Sequence, residues 1–517
     1  MGRSALSDII LSILTGLLLT ASFPKANLSF LAWVALVPFF WAINGRSLRS
    51  SFWLGFISGL VHYLTLLYWI IGVTYRYGHL PLPIAILALT LLAGYLSLYP
   101  AFFAVLSNRS KSRSMTFHFV SPFVWVVLEY IRSFLLSGFP WEHLGYSQFR
   151  WLPLIQISDI LGVYGVSALI VAINSGLFCT LYIWKAERRI SLGLLSVVLI
   201  IMGTCLVYGS FRIKLIDAQA DMATHRVITV VQGNIDQSKK WLTSFQNQTI
   251  DRYRELSLSA LPMQPDLIVW PETALPFYFL YNPPLTEKVL RVVRCAATYF
   301  IVGSPAFESH KRRICYYNRA YLISPEGKVV DQYDKVHLVP FGEYVPLRDV
   351  LFFVGKIVPS MGEFCPGKKG KILTWESHKI GPLICFEIIF PELARSMVKK
   401  GANILVTITN DAWFDTSSAP YQHFSMVVFR AVENRVAVVR AANTGISGFV
   451  DPAGRILEQT PLFKEAIRTC SLPMMSQETF YTRFGDVFVL ICFLITIIFI
   501  FTPVFRKTLI QKKIIRL

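Results

Sequence analysis

Long apolar runs fill about the first 210 residues of the chain, and polar residues interrupt these runs only briefly. Most of the runs approach the roughly 20 residues that a helix needs to cross a lipid bilayer. The pattern therefore predicts a bundle of eight membrane-spanning helices, of which the first two are short enough to form a re-entrant hairpin instead. The predicted spans are residues 6–22, 28–43, 52–73, 82–106, 117–136, 160–184, 192–211 and 487–504.

A polar stretch, residues 213–480, separates the seventh span from the eighth. Short β-type runs alternate there with helical runs, which is typical of a layered α/β domain. We therefore divide the chain into a seven-span bundle at 1–212, a domain at 213–480, and an eighth span with a basic tail at 481–517. The predicted strands are residues 226–231, 266–270, 300–303, 317–324, 328–333, 379–385, 404–409 and 437–442.

The distribution of charge sets the orientation in the membrane. The 517 residues include 50 basic and 31 acidic ones, a formal charge of +19, which could indicate nucleic acid or an anionic surface as partner. Most basic residues between the spans would share one side with both termini, whereas the short loops on the other side hold only Lys25, Arg76 and Arg150. The positive-inside rule then places both termini in the cytoplasm and residues 213–480 outside it. We expect no nucleic-acid partner.

Three polar side chains follow predicted strands of the 213–480 domain. Cys385 ends one strand shortly before Pro391, in the strand–turn–helix order of a nucleophile elbow, where the helix end would favour a thiolate. Glu272 follows a second strand and suits a general base. Lys335 follows a third and could stabilise an oxyanion. Taken singly, each has an ordinary explanation as a core cysteine, a loop carboxylate or a solvated lysine.

The order of these residues resembles the nitrilase, or carbon–nitrogen hydrolase, superfamily. Glu272, Lys335 and Cys385 match its catalytic residues, and the segments 410–414 and 430–435 read Asn-Asp-Ala-Trp-Phe and Arg-Ala-Val-Glu-Asn-Arg, as is typical of it. The resemblance implies an αββα sandwich. It also implies that Glu272 is the base, Lys335 the oxyanion ligand and Cys385 the nucleophile.

The membrane part narrows the resemblance to the apolipoprotein N-acyltransferase family. Further matches are Gln-Gly-Asn-Ile-Asp-Gln at 232–237, Lys240-Trp241, and Val-Pro-Phe-Gly-Glu-Tyr-Val-Pro at 339–346. This resemblance implies an enzyme of the bacterial inner membrane with a periplasmic catalytic domain. Its acyl donor would be a phospholipid, its intermediate a thioester on Cys385, and its acceptor the amine of a diacylglyceryl apolipoprotein. It needs no metal or other cofactor.

The resemblance also implies supporting roles. Glu343 would position Lys335, and Glu387 would support the turn at Cys385. Phe386 stands where family members often carry Tyr, which leaves its backbone N–H to serve the oxyanion. The candidate substrate contacts are Trp241, Asn318, Val339, Phe341, Trp413 and Phe414.

Two other functions use the same residues. A membrane-tethered nitrilase or amidase would form the same thioester and pass it to water, although a tether needs only one span. A non-catalytic module, or a transporter with an accessory domain, is disfavoured by the intact Glu272, Lys335 and Cys385.

The extracytoplasmic cysteines other than Cys385 leave two possibilities open. Cys295, Cys315, Cys365 and Cys470 could form disulfides in any of three pairings. We expect them instead to be small buried apolar residues, as free cysteines commonly are.

Overall fold

A computed structural model describes residues 4–108, 116–189, 191–310, 313–345 and 364–514 of the chain. It divides into two compact units. The first comprises Met1–Tyr68, Ile86–Gly209 and Asp486–Leu517, and the second comprises Trp69–Ala85 and Ser210–Gly485. Several basic residues behind the predicted orientation lie outside the described residues, namely Arg3, Arg109, Lys111, Arg113 and Arg516.

The first unit is helical. By length and composition, three of the described helices could cross a membrane: Leu82–Asn108, Val163–Glu187 and Leu192–Asp221. A fourth is possible if Leu48–Leu66 and Trp69–Tyr77 count as one span with a bend of 51°. The expected count of eight spans is therefore not confirmed. The remaining helices of this unit are Ala5–Ala21, Leu36–Ile43, Thr116–Arg132, Leu152–Ile155, Ser158–Leu161 and Val487–Ile514.

The predicted span at 52–73 is broken in the structure. Its helix ends at Leu66, and the short helix that follows, Trp69–Gly72, belongs to the second unit. There the indole N–H of Trp69 donates to the side-chain oxygen of Gln422 (3.2 Å). The apolar pattern predicted one continuous helix, because it contains no information about the hydrogen bond between Trp69 and Gln422, which are far apart in the sequence.

Two buried ionisable side chains of the first unit, Glu129 and Arg132, have hydrogen-bond partners within that unit. Glu129 accepts hydrogen bonds from the indole of Trp125 (2.9 Å) and the backbone N–H of Leu144 (2.8 Å). Arg132 donates to the Tyr63 hydroxyl (3.1 Å) and the Trp141 carbonyl (3.2 Å). Such partners are required wherever ionisable side chains are removed from water in a bilayer.

The second unit contains two six-stranded sheets. In the first, the order is β12-β1-β2-β3-β4-β5, with β1, β2 and β3 parallel. In the second, the order is β11-β10-β9-β8-β7-β6, with β7, β8 and β9 parallel. The strands are β1 His225–Gln232, β2 Leu267–Val269, β3 Tyr299–His310, β4 Arg313–Ile323, β5 Val329–Asp334, β6 Leu373–Trp375, β7 His378–Ile384, β8 Ile404–Thr409, β9 Ala437–Ala442, β10 Gly448–Val450, β11 Ile456–Gln459 and β12 Ala466–Pro473.

Helices cover both sheets and complete the expected two-sheet, nitrilase-like fold. Thr243–Ser259 and Pro283–Ala296 pack on the first sheet, around a core that includes the stacked rings of Tyr253 and Trp270. Pro391–Val398 and Ala419–Asn434 pack on the second. Shorter helices of this unit are Trp69–Gly72, Gln237–Lys240 and Phe480–Phe484.

Local sequence explains several of these elements. All six residues of β8 are buried and five are β-branched, which suits a central strand covered on both faces. Proline begins the helix Pro391–Val398, where its missing N–H costs no hydrogen bond. The predicted hairpin is confirmed, because Gly327 adopts a φ of 78° in the turn between β4 and β5.

The expectation that these four cysteines are all free and buried was wrong. Cys315 and Cys365 form a disulfide, whereas Cys295 is exposed and Cys470 is half-buried. The backbone N–H of Cys365 donates to the carbonyl of Tyr316 (2.8 Å), so the chain there runs beside β4. This brings the two Cα atoms to 5.5 Å, within the range for a disulfide.

We predict that replacing Cys315 and Cys365 together with Ser destabilises the second unit. The bond closes a loop of 50 residues, for which chain entropy gives about 4 kcal/mol, or about 10 °C in melting temperature. Thermal unfolding of the full chain measures the change. Cys295→Ser, which alters an exposed free thiol, should melt like wild type. Equal melting of the double variant and wild type would rule out a stabilising disulfide.

Candidate active site

Three strand ends bring the predicted site residues of the second unit together. Glu272 follows β2, Lys335 follows β5 and Cys385 follows β7. The Lys335 ammonium lies 3.8 Å from a carboxylate oxygen of Glu272, and both Lys335 and Glu272 influence the charge state of the Cys385 thiol. Residues that lie more than 110 positions apart in the sequence thus share one site.

Lys335 is a buried cation, with 1% of its side chain exposed. It lies 3.0 Å from Glu343, and this carboxylate also accepts the backbone N–H of Val339 (2.8 Å). Burial by itself lowers the pKa of Lys335, but Glu343 and Glu272 outweigh it and hold the pKa well above its usual value. Lys335 therefore remains an ammonium at any physiological pH.

Glu272 is held at both carboxylate oxygens. One accepts the side-chain amide of Asn318 (2.6 Å), and the other accepts the backbone N–H of Asn410 (2.8 Å). A Cβ atom at Gly303 would lie 2.8 Å from the Cα of Glu272, so the two backbone segments can lie this close only because residue 303 is a glycine. Asn318 was expected to contact substrate; its amide also reaches Glu343 (3.3 Å) and so bridges the two carboxylates.

Cys385 has a φ of 54°, in the left-handed region that non-glycine residues rarely adopt. The sharp turn fits the expected elbow. Burial raises the pKa of the Cys385 thiol, as does Glu272, and Lys335 only partly opposes them. The helix end was expected to favour a thiolate, but burial outweighs the nearby cation and favours the thiol form.

Glu387 ties the elbow to the segment that carries Lys335. It accepts backbone N–H groups of Ile384 (2.7 Å), Val336 (2.6 Å) and His337 (3.1 Å), and the hydroxyl of Tyr333 (3.0 Å). Burial raises the pKa of Glu387 to about 7, whereas the three N–H donors pull it down. The carboxylate is the common acceptor for two separate loops.

Phe386 lies half-buried beside other rings. Its ring meets Phe390 edge-on at 5.2 Å and lies 6.0 Å from His337. The place of a family tyrosine is therefore taken by an apolar contact within the domain.

The candidate substrate contacts lie in different surroundings. Trp241 is 36% exposed, and Phe341 adopts a φ of 62° in a turn closed by its N–H to the carbonyl of Tyr344 (2.7 Å). Val339 is half-buried in the same turn. Pro346, the last residue of the matching motif, lies outside the described residues.

Trp413 and Phe414 pack against Trp69–Tyr77, the segment that follows the break in the predicted span at 52–73. Trp413 meets Tyr77 at 5.1 Å, and Phe414 meets Trp69 at 4.9 Å. The Tyr77 hydroxyl donates to the carbonyl of Ala412 (3.0 Å). These rings thus have packing partners inside the domain, which the sequence did not reveal.

Lys240, for which the sequence predicted no role of its own, is a second buried lysine in the site, with 1% of the residue exposed. Its ammonium donates to the Thr273 hydroxyl (2.7 Å) and approaches the Glu272 carbonyl (3.4 Å). Thr273 has a φ of 48°, which is unusual for a β-branched residue. Burial lowers the pKa of Lys240 to about 7. Its lysine-rich local sequence predicts a solvated side chain, so only the three-dimensional structure reveals this contact.

Because the pKa of Lys240 is lower in the folded state, its burial costs stability most below about pH 7, and this cost falls as the pH rises. We predict that the stability of Lys240→Met relative to wild type declines by about 2 kcal/mol between pH 7 and pH 9. Melting temperatures at both pH values measure it. Lys239→Met, at the exposed neighbour, should show no such trend. A stability difference between Lys240→Met and wild type that stays the same at both pH values would contradict a lowered pKa of Lys240.

Among the described residues, no group of three or more His, Cys, Asp or Glu is placed to hold a metal ion.

Two known families match the two parts of the chain separately. Residues 15–176 match the apolipoprotein N-acyltransferase N-terminal domain, and residues 227–479 match the carbon–nitrogen hydrolase family. Among solved structures, an amidase from Nesterenkonia sp. is similar at 19% identity and a TM-score of 0.37, covering 49% of this chain and 92% of that one.

Full-length relatives are similar across both parts. A protein of Geobacter metallireducens named apolipoprotein N-acyltransferase is 46% identical over 488 residues, covering 94% of this chain and 93% of the relative. One of the same name from Allorhizobium ampelinum is 33% identical, covering 83% and 81%. The chain therefore belongs to the apolipoprotein N-acyltransferase family.

Proposed function

We propose that the chain transfers an acyl group from the sn-1 position of a membrane phospholipid, through a thioester on Cys385, to the amine of a diacylglyceryl apolipoprotein. Membership of the family gives the activity as an acyltransferase. The observation that carries the mechanism is the position of the Cys385 thiol on a strained turn, beside the buried carboxylate–ammonium pair of Glu272 and Lys335.

In the first half-reaction, Glu272 removes the proton of the Cys385 thiol, and the sulfur attacks the ester carbonyl. The Lys335 ammonium and the backbone N–H of Phe386 stabilise the oxyanion of the tetrahedral intermediate. The C–O bond then breaks, Glu272 gives the proton to the leaving alkoxide, and a lysophospholipid departs. A thioester remains on Cys385.

In the second half-reaction, the free amine of the acceptor attacks the thioester carbonyl. Glu272 takes a proton from the amine nitrogen and returns it to the departing sulfur, so that an amide and the resting thiol are formed. Glu343 keeps Lys335 in place throughout, since it lies 3.0 Å from the ammonium. Trp241, Val339 and Phe341 are the proposed contacts to the lipid substrates.

Both proposed substrates are anchored in a membrane, and this supports a membrane-embedded enzyme. We propose eight spans, with both termini in the cytoplasm and the catalytic domain on the periplasmic side of the bacterial inner membrane. The asymmetry of Lys and Arg between the predicted loops supports this orientation.

The rival function, a tethered amidase or nitrilase, would use the same thiol and the same base. The match of residues 15–176 to a domain named for N-acyltransferases favours acyl transfer, because a hydrolase has no need of that domain. The two functions differ in what discharges the thioester, which makes them separable by experiment.

We predict that the full chain, incubated with phosphatidylethanolamine in detergent, gains the mass of one fatty acyl group. Cys385→Ala should gain none, whereas Cys295→Ala, at an exposed thiol, should gain it like wild type. Lys335→Met should form the adduct roughly 100- to 1,000-fold more slowly, because it removes an oxyanion ligand. Intact-mass spectrometry measures all four proteins.

A diacylglyceryl peptide with a free amine should then remove the adduct much faster than buffer does. An adduct that water discharges as quickly as the peptide would identify a hydrolase instead. No adduct on wild type would refute the proposed donor reaction.

A further inference from the structure

The backbone carbonyl of Cys385 has a buried side-chain partner. The Nε2 atom of His423 lies 3.2 Å from this carbonyl oxygen. His423 belongs to the helix Ala419–Asn434, in which every residue except Tyr421 is buried, and the exposed fraction of His423 is 1%. A carbonyl oxygen can only accept a hydrogen bond, so Nε2 must carry the proton.

The other ring nitrogen of His423 faces two charged groups. Nδ1 lies 3.0 Å from the Arg440 guanidinium and 3.2 Å from the Asp411 carboxylate. Burial and Arg440 lower the pKa of His423, so the ring is neutral and Nδ1 accepts from Arg440. The imidazole is thereby fixed in one tautomer and one orientation.

Asp411 anchors this arrangement. One of its oxygens accepts from Arg440 (2.7 Å), and the other accepts the hydroxyl of Thr409 (2.9 Å). A Cβ at Gly445 would lie 2.3 Å from the carboxylate, so Gly445 packs closely against the Asp411 side chain. Both oxygens of Asp411 are thus held by hydrogen bonds.

The same turn reaches the reacting groups. Thr409 acts on the Cys385 thiol and lowers its pKa, and the N–H of Asn410 holds Glu272. Asp411 thus holds Thr409 beside the Cys385 thiol and, through Arg440 and His423, is connected to the carbonyl of the same cysteine.

The geometry of the peptide bond gives this contact a consequence. The carbonyl of Cys385 and the N–H of Phe386 belong to one planar peptide unit and point in opposite directions. A donor that fixes the carbonyl therefore also fixes the direction of the N–H. Hydrogen bonding to the carbonyl further polarises the peptide and strengthens its N–H as a donor.

We propose that His423, held by Asp411 and Arg440, is a positioning residue that aims the Phe386 N–H at the oxyanion formed during attack by Cys385. This inference rests on the proposed function, because it assumes that Cys385 attacks an acyl carbonyl. It also explains how the unfavourable φ of Cys385 is maintained, since the surrounding structure must hold such a residue in place.

Two substitutions separate the two ring nitrogens. His423→Gln can keep a donor near the position of Nε2, whereas His423→Asn keeps a polar group near Nδ1 and loses the donor to Cys385. The full-length proteins are acylated with phosphatidylethanolamine and, separately, with p-nitrophenyl butyrate, which forms a tetrahedral oxyanion without needing a lipid site. Alkylation of Cys385 by iodoacetamide, a displacement that forms no oxyanion, is measured in parallel.

We expect His423→Asn to slow acylation by both esters roughly 10- to 100-fold, the scale of a misplaced reacting group. Alkylation should change by less than about threefold, and His423→Gln should restore most of the acylation rate. Equal loss in the Gln and Asn variants, equal loss of acylation and alkylation, or no loss in Asn would overturn the proposal.

The nitrophenyl ester keeps this result separate from the donor question. Wild type that reacts with it but not with the phospholipid would refute the proposed donor and leave the test of His423 intact. Wild type that reacts with neither would count against both proposals.

If His423→Asn does not melt cooperatively, Thr409→Val and Thr409→Ser test the network from its other end. Val should slow acylation by roughly threefold or more, while Ser, which keeps the hydroxyl, should not. Equal rates in these two variants would overturn the connection through Asp411.

Discussion

The burial of the Lys335 ammonium is the constraint on which the site depends. An ion removed from water costs several kcal/mol unless it is paired, and removing one partner of a buried pair costs about 3–5 kcal/mol. Lys335 is 1% exposed and lies between Glu343 at 3.0 Å and Glu272 at 3.8 Å. Its two carboxylate partners must therefore be held in place, which requires their own hydrogen-bond partners to be fixed as well.

Those partners extend the constraint outward. Asn318 bridges the two carboxylates, and the N–H of Asn410 holds Glu272 from the opposite sheet. Lys240 and Thr273 brace the turn that follows β2. The two sheets are thus joined at the site by hydrogen bonds as well as by apolar packing, so their separation and the geometry of the base are set together.

Sequence reasoning recovered the parts that local chemistry controls. Most strands were predicted because β-branched runs end at turn residues, and the order Glu272, Lys335, Cys385 indicated one site. It did not find the partners of Lys240, His423 or Trp69, because these contacts join segments far apart in the chain. It also missed the effect of burial on the Cys385 thiol: a sequence shows a cation and a helix end nearby, but it does not show that burial and Glu272 together raise the pKa of this thiol.

In the proposed mechanism, Cys385 rests as a thiol and becomes a nucleophile only when Glu272 takes its proton. The ultraviolet absorbance of a thiolate, measured against Cys385→Ala as the pH is raised, tests this directly. We expect no Cys385-dependent absorbance at neutral pH, with the band developing only above the ordinary thiol range of about pH 8.5. A full thiolate band at neutral pH would instead show a preformed ion pair of Cys385 with Lys335, and Glu272 would then not be needed to deprotonate the thiol.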